Sequence, residues 1–349
     1  MQSTFLTTKK KILVTGGAGF IGSNLISKLI EKRNCKIYNL DKLSYASSKY
    51  DTNDIFTNKK SSLEHYEFLK VDLVDSNNTL DAIKYADPDL VFHLAAESHV
   101  DRSIKGPIEF INSNIIGTYN LLHSLRNHHE KLSPERQKNF KLIHISTDEV
   151  FGELGFTGYF SESSQYSPRS PYSASKAASD HLVNAWFHTY GLPSIITNCC
   201  NNYGPRQFPE KLIPLVMSKA LSNQYIPMFG EGENIRDWLY VEDHISALLL
   251  IAEKGMAGEH FCIGAGEEYS NKDVINIICE ILDKKRSNKL SYKRLIKSVD
   301  DRLGHDFRYA IDSSKLKNDL DWKPKYNFKI GIQRTIDWYL KNMQWLVPD

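Results

Sequence analysis

A phenol and an ammonium group stand four residues apart in this chain, at Tyr172 and Lys176. Residues with that spacing share one face of a helix. A nearby cation favours the phenolate and lowers a tyrosine pKa that starts near ~10, so that the side chain can act as a base. Thr147, directly after a predicted strand, adds a hydroxyl, and the three residues predict hydride transfer at a carbinol. Because Tyr-x-x-x-Lys is common by chance, an unreactive solvated helix face is the alternative.

Two consecutive carboxylates follow Thr147, at Asp148 and Glu149. An ordinary alcohol dehydrogenase needs one base and one hydroxyl donor, so the pair predicts a further reaction. Oxidation of a carbinol to a ketone acidifies the neighbouring C–H. One carboxylate can then remove that proton while a protonated carboxyl donates to a departing hydroxyl. The pair therefore favours elimination of water, with a solvated turn that has no catalytic role as the alternative.

A glycine-rich turn follows the first predicted strand, with glycines at Gly16, Gly19 and Gly22. This spacing lets the backbone approach a pyrophosphate, which free N–H groups and the positive end of a helix stabilise. Asp41 ends the second predicted strand, where a carboxylate accepts hydrogen bonds from the ribose hydroxyls and repels a 2′-phosphate. The turn therefore predicts a dinucleotide site that prefers NAD to NADP. The alternative is a glycine turn that only packs a helix against a strand.

The elements that must position these residues alternate between strands and helices. Such an alternation predicts an α/β fold with a doubly wound parallel sheet of the Rossmann type, whose ligands bind at the carboxyl ends of the strands. We predict strands at 11–15, 36–40, 67–71, 90–94 and 141–146, and helices at 21–33, 112–127 and 173–190. After about Asn198 prolines interrupt the pattern. We therefore predict an NAD-binding domain over 1–198, with 237–263 returning to it, and a smaller substrate domain over 199–349. The polar stretch 44–62 is predicted to be a surface loop.

Composition excludes several classes of protein. A chain of 349 residues is long enough for about two domains. Its 44 Lys and Arg against 42 Asp and Glu give a charge of +2, so no basic excess predicts nucleic acid as a partner. The longest apolar stretch is far shorter than the ~20 residues that span a bilayer, and residues 1–11 lack the apolar region of a signal peptide. Five cysteines without a Cys-x-x-Cys pair predict reduced thiols in a cytoplasmic protein.

Longer motifs resemble one family. They cover residues 11–345 and comprise 15–23 (TGGAGFIGS), 94–103 (LAAESHVDRS), 145–152 (ISTDEVFG), 172–176 (YSASK), 201–205 (NNYGP), 208–214 (FPEKLIP), 234–243 (NIRDWLYVED) and 301–306 (DRLGHD). The chain is similar to the nucleoside-diphosphate-glucose 4,6-dehydratases of the extended short-chain dehydrogenase/reductases, and most of all to those that use dTDP-glucose.

The resemblance implies a redox-neutral cycle on a sugar nucleotide. Tyr172 takes the proton of the glucose 4-hydroxyl, Thr147 bonds to that oxygen, and hydride moves from C4 to NAD. Glu149 then removes the C5 proton, Asp148 protonates the C6 hydroxyl as water leaves, and hydride returns to C6. Lys176 completes the predicted catalytic set. NAD ends as it began, so it is expected to stay bound.

The resemblance also implies two sets of binding residues. NAD is expected at Gly16, Gly19, Phe20, Ile21, Gly22, Asp41, Lys42, Leu43, Ser44, Asp72, Leu73, Leu94, Ala95, Ala96, Ser113, Tyr172, Lys176 and Asn201. The sugar nucleotide is expected at Ser98, Thr147, Asn202, Lys211, Leu212, Pro227, Met228, Phe229, Arg236, Asp301, Arg302 and His305. Arg236 and Lys211 suit a diphosphate. Their alternatives are a surface ion pair with Asp237 and a helix-start pair with Glu210. No metal is predicted, because no metal-ligand spacing surrounds the histidines.

Three departures from the family pattern, Cys262 for Asn, Phe229 for Tyr and Leu303 for Pro, are expected on the nucleotide side of the site. They leave dTDP-glucose and UDP-glucose both open. Relatives pair the helices near 112–127 and 173–190 into a four-helix bundle, which implies a homodimer. An apolar stripe of Leu121, Leu122 and Leu125 is consistent with that interface and equally with core packing.

Two other functions stay open at this point. A sugar-nucleotide 4-epimerase on the same fold needs Tyr172 and Lys176 but has no use for both Asp148 and Glu149. A non-catalytic dinucleotide-binding regulator would need none of the five catalytic side chains.

Overall fold

Twelve strands lie in the part of the chain that the structure, a computed structural model, describes: residues 10–31, 35–47, 65–286, 290–301 and 304–346. In chain order they are β1 (Lys10–Thr15), β2 (Cys35–Asp41), β3 (Tyr66–Lys70), β4 (Leu90–His93), β5 (Lys141–Thr147), β6 (Ser194–Cys199), β7 (Asn201–Tyr203), β8 (Ile226–Phe229), β9 (Ile235–Tyr240), β10 (His260–Ile263), β11 (Glu268–Ser270) and β12 (Ile296–Val299).

Helices connect and cover these strands. They are α1 (Phe20–Glu31), α2 (Ser76–Ala86), α3 (Val100–Lys105), α4 (Pro107–Phe110), α5 (Gly117–His129), α6 (Pro134–Asn139), α7 (Pro171–Tyr190), α8 (Leu212–Leu221), α9 (Val241–Lys254), α10 (Asn271–Arg286), α11 (Ser314–Leu320) and α12 (Phe328–Lys341). A π-helical turn over Ile111–Ile116 joins α4 to α5, and 3₁₀ turns lie at Asp148–Phe151, Tyr292–Leu295 and Met343–Leu346.

Seven parallel strands form the larger sheet, in the order β10-β6-β5-β4-β1-β2-β3. Its central strands β1, β4 and β5 are almost wholly buried, as expected when helices cover both faces. Successive side chains of a strand point to opposite faces of the sheet, and each face has its own apolar core. On β1, Ile12 and Val14 belong to one core and Leu13 to the other. The strand order reverses between β1 and β4, where a doubly wound sheet opens a crevice for ligands. The predicted fold class is confirmed.

The smaller lobe holds a three-stranded sheet, β11-β9-β7, and the parallel pair β12-β8. Its own core gathers aromatic and aliphatic side chains of α8, α10 and α12. The chain then returns, because α9 packs on the larger sheet and β10 pairs with β6 at its edge. Which lobe binds which ligand stays a prediction.

The structure differs from one sequence expectation and decides between two alternatives left open for a second feature. The predicted helix 112–127 begins earlier, at Pro107, whose missing N–H costs no bond at a first helical position, and a π turn interrupts it. Leu121, Leu122 and Leu125 are fully buried in the core beneath the sheet, so core packing explains their stripe.

Residues 1–9 and 48–64 lie outside the described residues. The structure therefore does not test the expectation that residues 1–11 lack a signal peptide, nor most of the predicted loop 44–62. Within the described residues, no helix combines the length and apolar character that a membrane span requires.

Candidate active site

A cavity of about 310 Å³ opens at the carboxyl ends of β1, β2, β4, β5 and β6. It is lined by all five predicted catalytic residues and by every predicted NAD residue except Leu43. Leu43 is 41% exposed, and its backbone N–H donates to Asp41 Oδ1 at 2.8 Å. One cavity therefore joins the glycine turn to the reactive side chains.

The glycine turn leaves no room for side chains at two of its positions. A Cβ on Gly16 would lie 2.6 Å from the Ala95 nitrogen, and one on Gly22 would lie 2.3 Å from the Gly16 carbonyl oxygen. Gly16 also has a φ of +71°. A Cβ on Gly19 would have one protein neighbour within 4 Å, the Gly16 carbonyl oxygen at 3.3 Å. The backbone of Gly19 therefore faces open space at the start of α1. The turn is shaped for close approach by a ligand.

Asp41 ties the end of β2 to this turn. Its Oδ2 accepts the Ala18 N–H at 3.0 Å, and its Oδ1 accepts the Ser47 hydroxyl. Burial raises the pKa of the Asp41 carboxyl, and these hydrogen bonds act in the opposite direction. Lys42, its neighbour, points away to Ser113 Oγ at 2.9 Å. The open turn, the helix start and a carboxylate one strand away are what NAD needs, so the residues present fit that cofactor.

The catalytic loop begins where β5 ends. Thr147 Oγ1 accepts the Glu149 N–H at 3.2 Å and thereby caps the 3₁₀ turn that carries both acids. The same hydroxyl donates to Asp148 Oδ1 at 3.2 Å. Across the cavity, Ser170 caps α7 with Pro171 at its first position, which fixes Tyr172 in the first turn.

Asp148 is placed to be a proton donor. Its side chain is buried, with 1% of the residue exposed, and Oδ2 has no hydrogen-bond partner among the described residues. Burial, Glu149 and Asp237 all raise the pKa of the Asp148 carboxyl well above its usual range, while Arg236 lowers it. This environment favours the protonated carboxyl, the form that a general acid requires.

The expected pKa shift of Tyr172 is wrong for this structure. Burial raises the pKa of the phenol well above its usual range, Glu149 adds to that rise, and a hydrogen bond with Thr147 opposes it. Lys176 donates to the Ile145 carbonyl oxygen at 2.9 Å, so its ammonium is directed to the backbone of β5. In the protein without ligands, Tyr172 is therefore a neutral phenol.

The predicted substrate residues fall into two groups. Ser98, Asn202 and Lys211 line the cavity, and Lys211 Nζ donates to the Ser98 carbonyl at 2.8 Å. A second group lies on the smaller lobe outside the cavity lining and comprises Leu212, Pro227, Met228, Phe229, Arg236, Asp301 and His305. Arg302 and Leu303 lie outside the described residues.

Within the second group, contacts are local. His305 Nδ1 lies 2.6 Å from Asp301 Oδ1, and its ring packs at 6.4 Å against Phe229. Leu212 packs against the core of the smaller lobe. Arg236 is buried over the ring of Tyr309 and donates to the Asp306 carbonyl at 2.9 Å, so the alternative of a surface ion pair is wrong.

Cys262 lies in β10 of the larger sheet, where strand pairing sets it opposite Asn198. It is fully buried, and its N–H donates to Glu162 Oε1 at 2.8 Å. Its expected place on the nucleotide side stays a prediction.

Sequence reasoning missed a group of residues at the rim of the cavity. Tyr45 donates its hydroxyl to Glu210 Oε1 at 3.1 Å, and the Arg102 guanidinium lies 3.4 Å from the centre of the Tyr45 ring. Phe208 packs edge-on against the same ring at 5.7 Å. The sequence offered one signal for this group: Glu210 directly precedes the predicted substrate residue Lys211. Within the described residues, no group of three or more His, Cys, Asp and Glu side chains is arranged to hold a metal ion.

Comparison with known proteins agrees with this geometry. The family model described as GDP-mannose 4,6 dehydratase matches residues 13–335. The dTDP-glucose 4,6-dehydratase of Escherichia coli is 49% identical over 348 residues, which cover 96% of this chain and 95% of that one.

Solved structures give the same result. The dTDP-glucose 4,6-dehydratase of Bacillus anthracis, crystallised in complex with NAD, superposes with a TM-score of 0.81 at 41% identity, covering 96% of this chain and 97% of that one. The UDP-glucose 4-epimerase of Thermotoga maritima, solved with UDP-glucose, shares the fold with a TM-score of 0.82 but only 28% identity, over 95% and 99% of the chains.

Proposed function

Because this chain belongs to the dTDP-glucose 4,6-dehydratase family, we propose that it converts dTDP-glucose to the 4-keto-6-deoxy sugar nucleotide and water, with NAD as a retained cofactor. The observation that carries the proposal is the pair of acids at one cavity with Thr147 and Tyr172. Asp148 is buried and its raised pKa favours the protonated form, whereas Glu149 beside it is partly exposed. An epimerase has no use for that pair.

The glycine turn, Asp41 and the backbone of α1 would hold NAD, which supplies the oxidation at C4 and the later reduction at C6. The positive charge of the nicotinamide, when bound, would add to that of Lys176 and favour the Tyr172 phenolate. In that form Tyr172 takes the proton of the 4-hydroxyl, with Thr147 as a hydrogen-bond partner of that oxygen. The resulting ketone acidifies the C5–H, and Glu149 removes that proton. Asp148 donates its proton to the 6-hydroxyl, which leaves as water, and Glu149 returns its proton to C5 when C6 is reduced.

Lys211 and Arg236 supply positive charge for the diphosphate. Lys211 reaches the cavity beside Ser98, and Arg236 is held within the smaller lobe near Asp148, whose pKa it lowers. Arginine and lysine suit phosphate oxygens because they carry several donors and a full charge. The relatives named for dTDP-glucose favour that nucleotide over UDP.

Product analysis tests the proposal. Purified protein is incubated with dTDP-glucose and, separately, with UDP-glucose, without any added reductant or oxidant. We expect a 4-keto-6-deoxy product that forms faster from dTDP-glucose. A galactose product would identify an epimerase, and a faster reaction with UDP-glucose would overturn the nucleotide assignment.

We also propose that the protein is a homodimer through a four-helix bundle, to which each protomer contributes the helical segment around 112–127 and α7. Five large apolar side chains from α3 to the start of α5, including the π turn, are 37–57% exposed, namely Ile104, Ile108, Ile111, Ile116 and Tyr119. Exposed apolar side chains grouped along one segment are typical of an interaction surface. Sedimentation should give a dimer that Ile108→Asp dissociates, whereas Tyr225→Asp, at another exposed apolar residue, leaves it intact. A monomeric wild-type protein would refute this assembly.

A further inference from the structure

A buried carboxylate that the proposed reaction does not use lies behind the catalytic loop. Asp180 on α7 is 1% exposed. His144 Nε2 approaches its Oδ1 at 3.0 Å. The hydroxyls of Ser146 and Tyr166 donate to its Oδ2 at 2.8 and 2.9 Å, and Asn198 Nδ2 approaches the same oxygen at 3.4 Å. Donors from two strands, β5 and β6, and from the loop before α7 therefore converge on one carboxylate.

These donors belong to the frame of the catalytic loop. Ser146 directly precedes Thr147 on β5. Asn198 on β6 donates to the Thr147 carbonyl at 2.8 Å while it also contacts Asp180. The position of Thr147, and hence of the 3₁₀ turn with both acids, is therefore linked to Asp180 through two neighbours.

Asp180 also lies one helical turn after Lys176. Residues with this spacing face the same side of a helix. Lys176 is only 4% exposed, and burial lowers the pKa of its ammonium. Asp180 is the largest influence in the opposite direction. Hydrogen bonds and the charge of Lys176 in turn keep the pKa of Asp180 below its usual range despite burial.

The other titratable groups around this pair are His93 from β4, His144 from β5, His260 from β10, Tyr166 from the loop before α7, and Cys199 from β6. Burial lowers the pKa of the three histidines and raises those of Tyr166 and Cys199. None of these five groups supplies a negative charge near pH 7, so the carboxylate of Asp180 balances the ammonium of Lys176.

We propose that Asp180 is a positioning residue for the dehydratase reaction, whose buried negative charge keeps Lys176 protonated and holds the Thr147 end of β5 in place. The inference rests on the proposed function, because it assigns a role to Asp180 within that reaction. Without the carboxylate, Lys176 would lose its proton at lower pH, and a neutral amine no longer offers a cation to Tyr172 or to a bound cofactor.

A second cavity, of about 210 Å³, borders Asp180 and makes the proposal testable by chemical rescue. It is lined by Tyr166, His181, Phe187, Glu259 and His260 among others. Removal of the Asp180 carboxylate would leave a vacant space next to this cavity. A small anion can therefore reach the position of the missing group.

The first experiment compares Asp180→Asn with Tyr166→Phe in the NAD-containing protein. Asp180→Asn keeps the shape and removes the charge, whereas Tyr166→Phe removes one hydrogen bond and keeps the charge. In Asp180→Asn we expect the alkaline limb of the pH profile of kcat to move down by about one to two pH units. This size is expected because the charges of Lys176 and Asp180 lie about one helical turn apart. Tyr166→Phe should keep the wild-type profile. An unshifted limb in Asp180→Asn, or an equal shift in both variants, would overturn the proposal.

The second experiment uses Asp180→Ala with added formate or formamide, which have nearly the same size and differ in charge. Formate should restore kcat at least about tenfold more than formamide. Equal rescue by both compounds, or no rescue in a variant that melts within a few degrees of wild type, would refute a role for the charge. If Asp180→Ala does not fold, the kcat profiles of Asp180→Asn and Asp180→Glu are compared instead. Asp180→Glu keeps the negative charge and should therefore show the alkaline limb of the wild type.

The amount of NAD that co-purifies with each variant gives a measurement independent of turnover. Loss of charge at Lys176 should lower NAD retention in Asp180→Asn but not in Tyr166→Phe, and equal retention in both would contradict the proposal. Wild-type protein that fails to dehydrate either sugar nucleotide would refute the proposed function instead.

Discussion

Replacement of Asp148 by Asn tests the assignment of the acid most directly. Asn has the same shape and cannot donate a proton to a leaving hydroxyl. A positioned general acid contributes about 10²- to 10⁴-fold to a rate, equivalent to about 3–5 kcal/mol of the barrier. Because Asp148 Oδ2 has no partner among the described residues, the substitution breaks no bond at that oxygen. We therefore expect kcat to fall by about 10²- to 10⁴-fold while the fold is retained.

The assay measures release of the 4-keto-6-deoxy product in steady state, and thermal melting is recorded for the same samples. Asp81→Asn, on the exposed surface of α2, serves as the control and should change neither value. Retention of more than about a tenth of wild-type kcat by Asp148→Asn would refute the assignment of Asp148 as the acid.

Stability should report the same carboxyl. Its folded pKa is raised, so its contribution to stability is complete below the unfolded pKa near ~3.9 and is lost as pH rises towards the folded value. Each unit of the rise removes about 1.4 kcal/mol from the unfolding free energy of wild type. Burial also raises the pKa of Asp41 and Asp237, which affects both proteins alike. The quantity to follow with pH is therefore the difference in unfolding free energy between wild type and Asp148→Asn. We expect the variant to gain relative stability as pH rises, and a constant difference from pH 4 to 8 would contradict the raised pKa.

Two further predictions concern the base and the cofactor turn. Glu149→Gln should keep NAD bound but block exchange of the C5 proton with solvent, and unchanged exchange measured by NMR would remove Glu149 from the mechanism. Gly22→Ala should destabilise the protein by about 1–3 kcal/mol, because its Cβ would overlap the Gly16 carbonyl, whereas Gly19→Ala should melt like wild type and lose co-purified NAD. A Gly19→Ala protein that retains NAD would show that this backbone does not face the cofactor.

Local patterns sufficed for five of the seven strands of the larger sheet and for the catalytic loop, whereas β6 and β10 were not predicted. Residues close together in the sequence determine the apolar runs of β1, β4 and β5 and the glycine turn. The spacing of those residues therefore predicts both the kind of element and its position. The structure brings Thr147, Asp148, Glu149, Tyr172 and Lys176 to one cavity because the first three lie at the carboxyl end of β5 and the other two lie at the start of α7, the helix that connects β5 to β6.

Other features depend on contacts between distant segments. The pKa of Tyr172 follows from burial and from Glu149, not from the spacing to Lys176. The place of Cys262 follows from pairing with β6, and the Tyr45 contacts join residues 165 positions apart. Asp180 lies in the same helix as the Tyr-x-x-x-Lys motif, but its four donors come from elsewhere in the chain, and spacing alone cannot reveal them.

The position of β10 has a consequence for biosynthesis. A chain released from the ribosome in order presents β6 as an outer strand, with its backbone N–H and C=O groups unpaired, until residues 260–263 emerge. The first lobe therefore cannot complete its folding during synthesis as an independent N-terminal unit would. Fragments that stop before His260 should therefore tend to associate through the unpaired edge of β6.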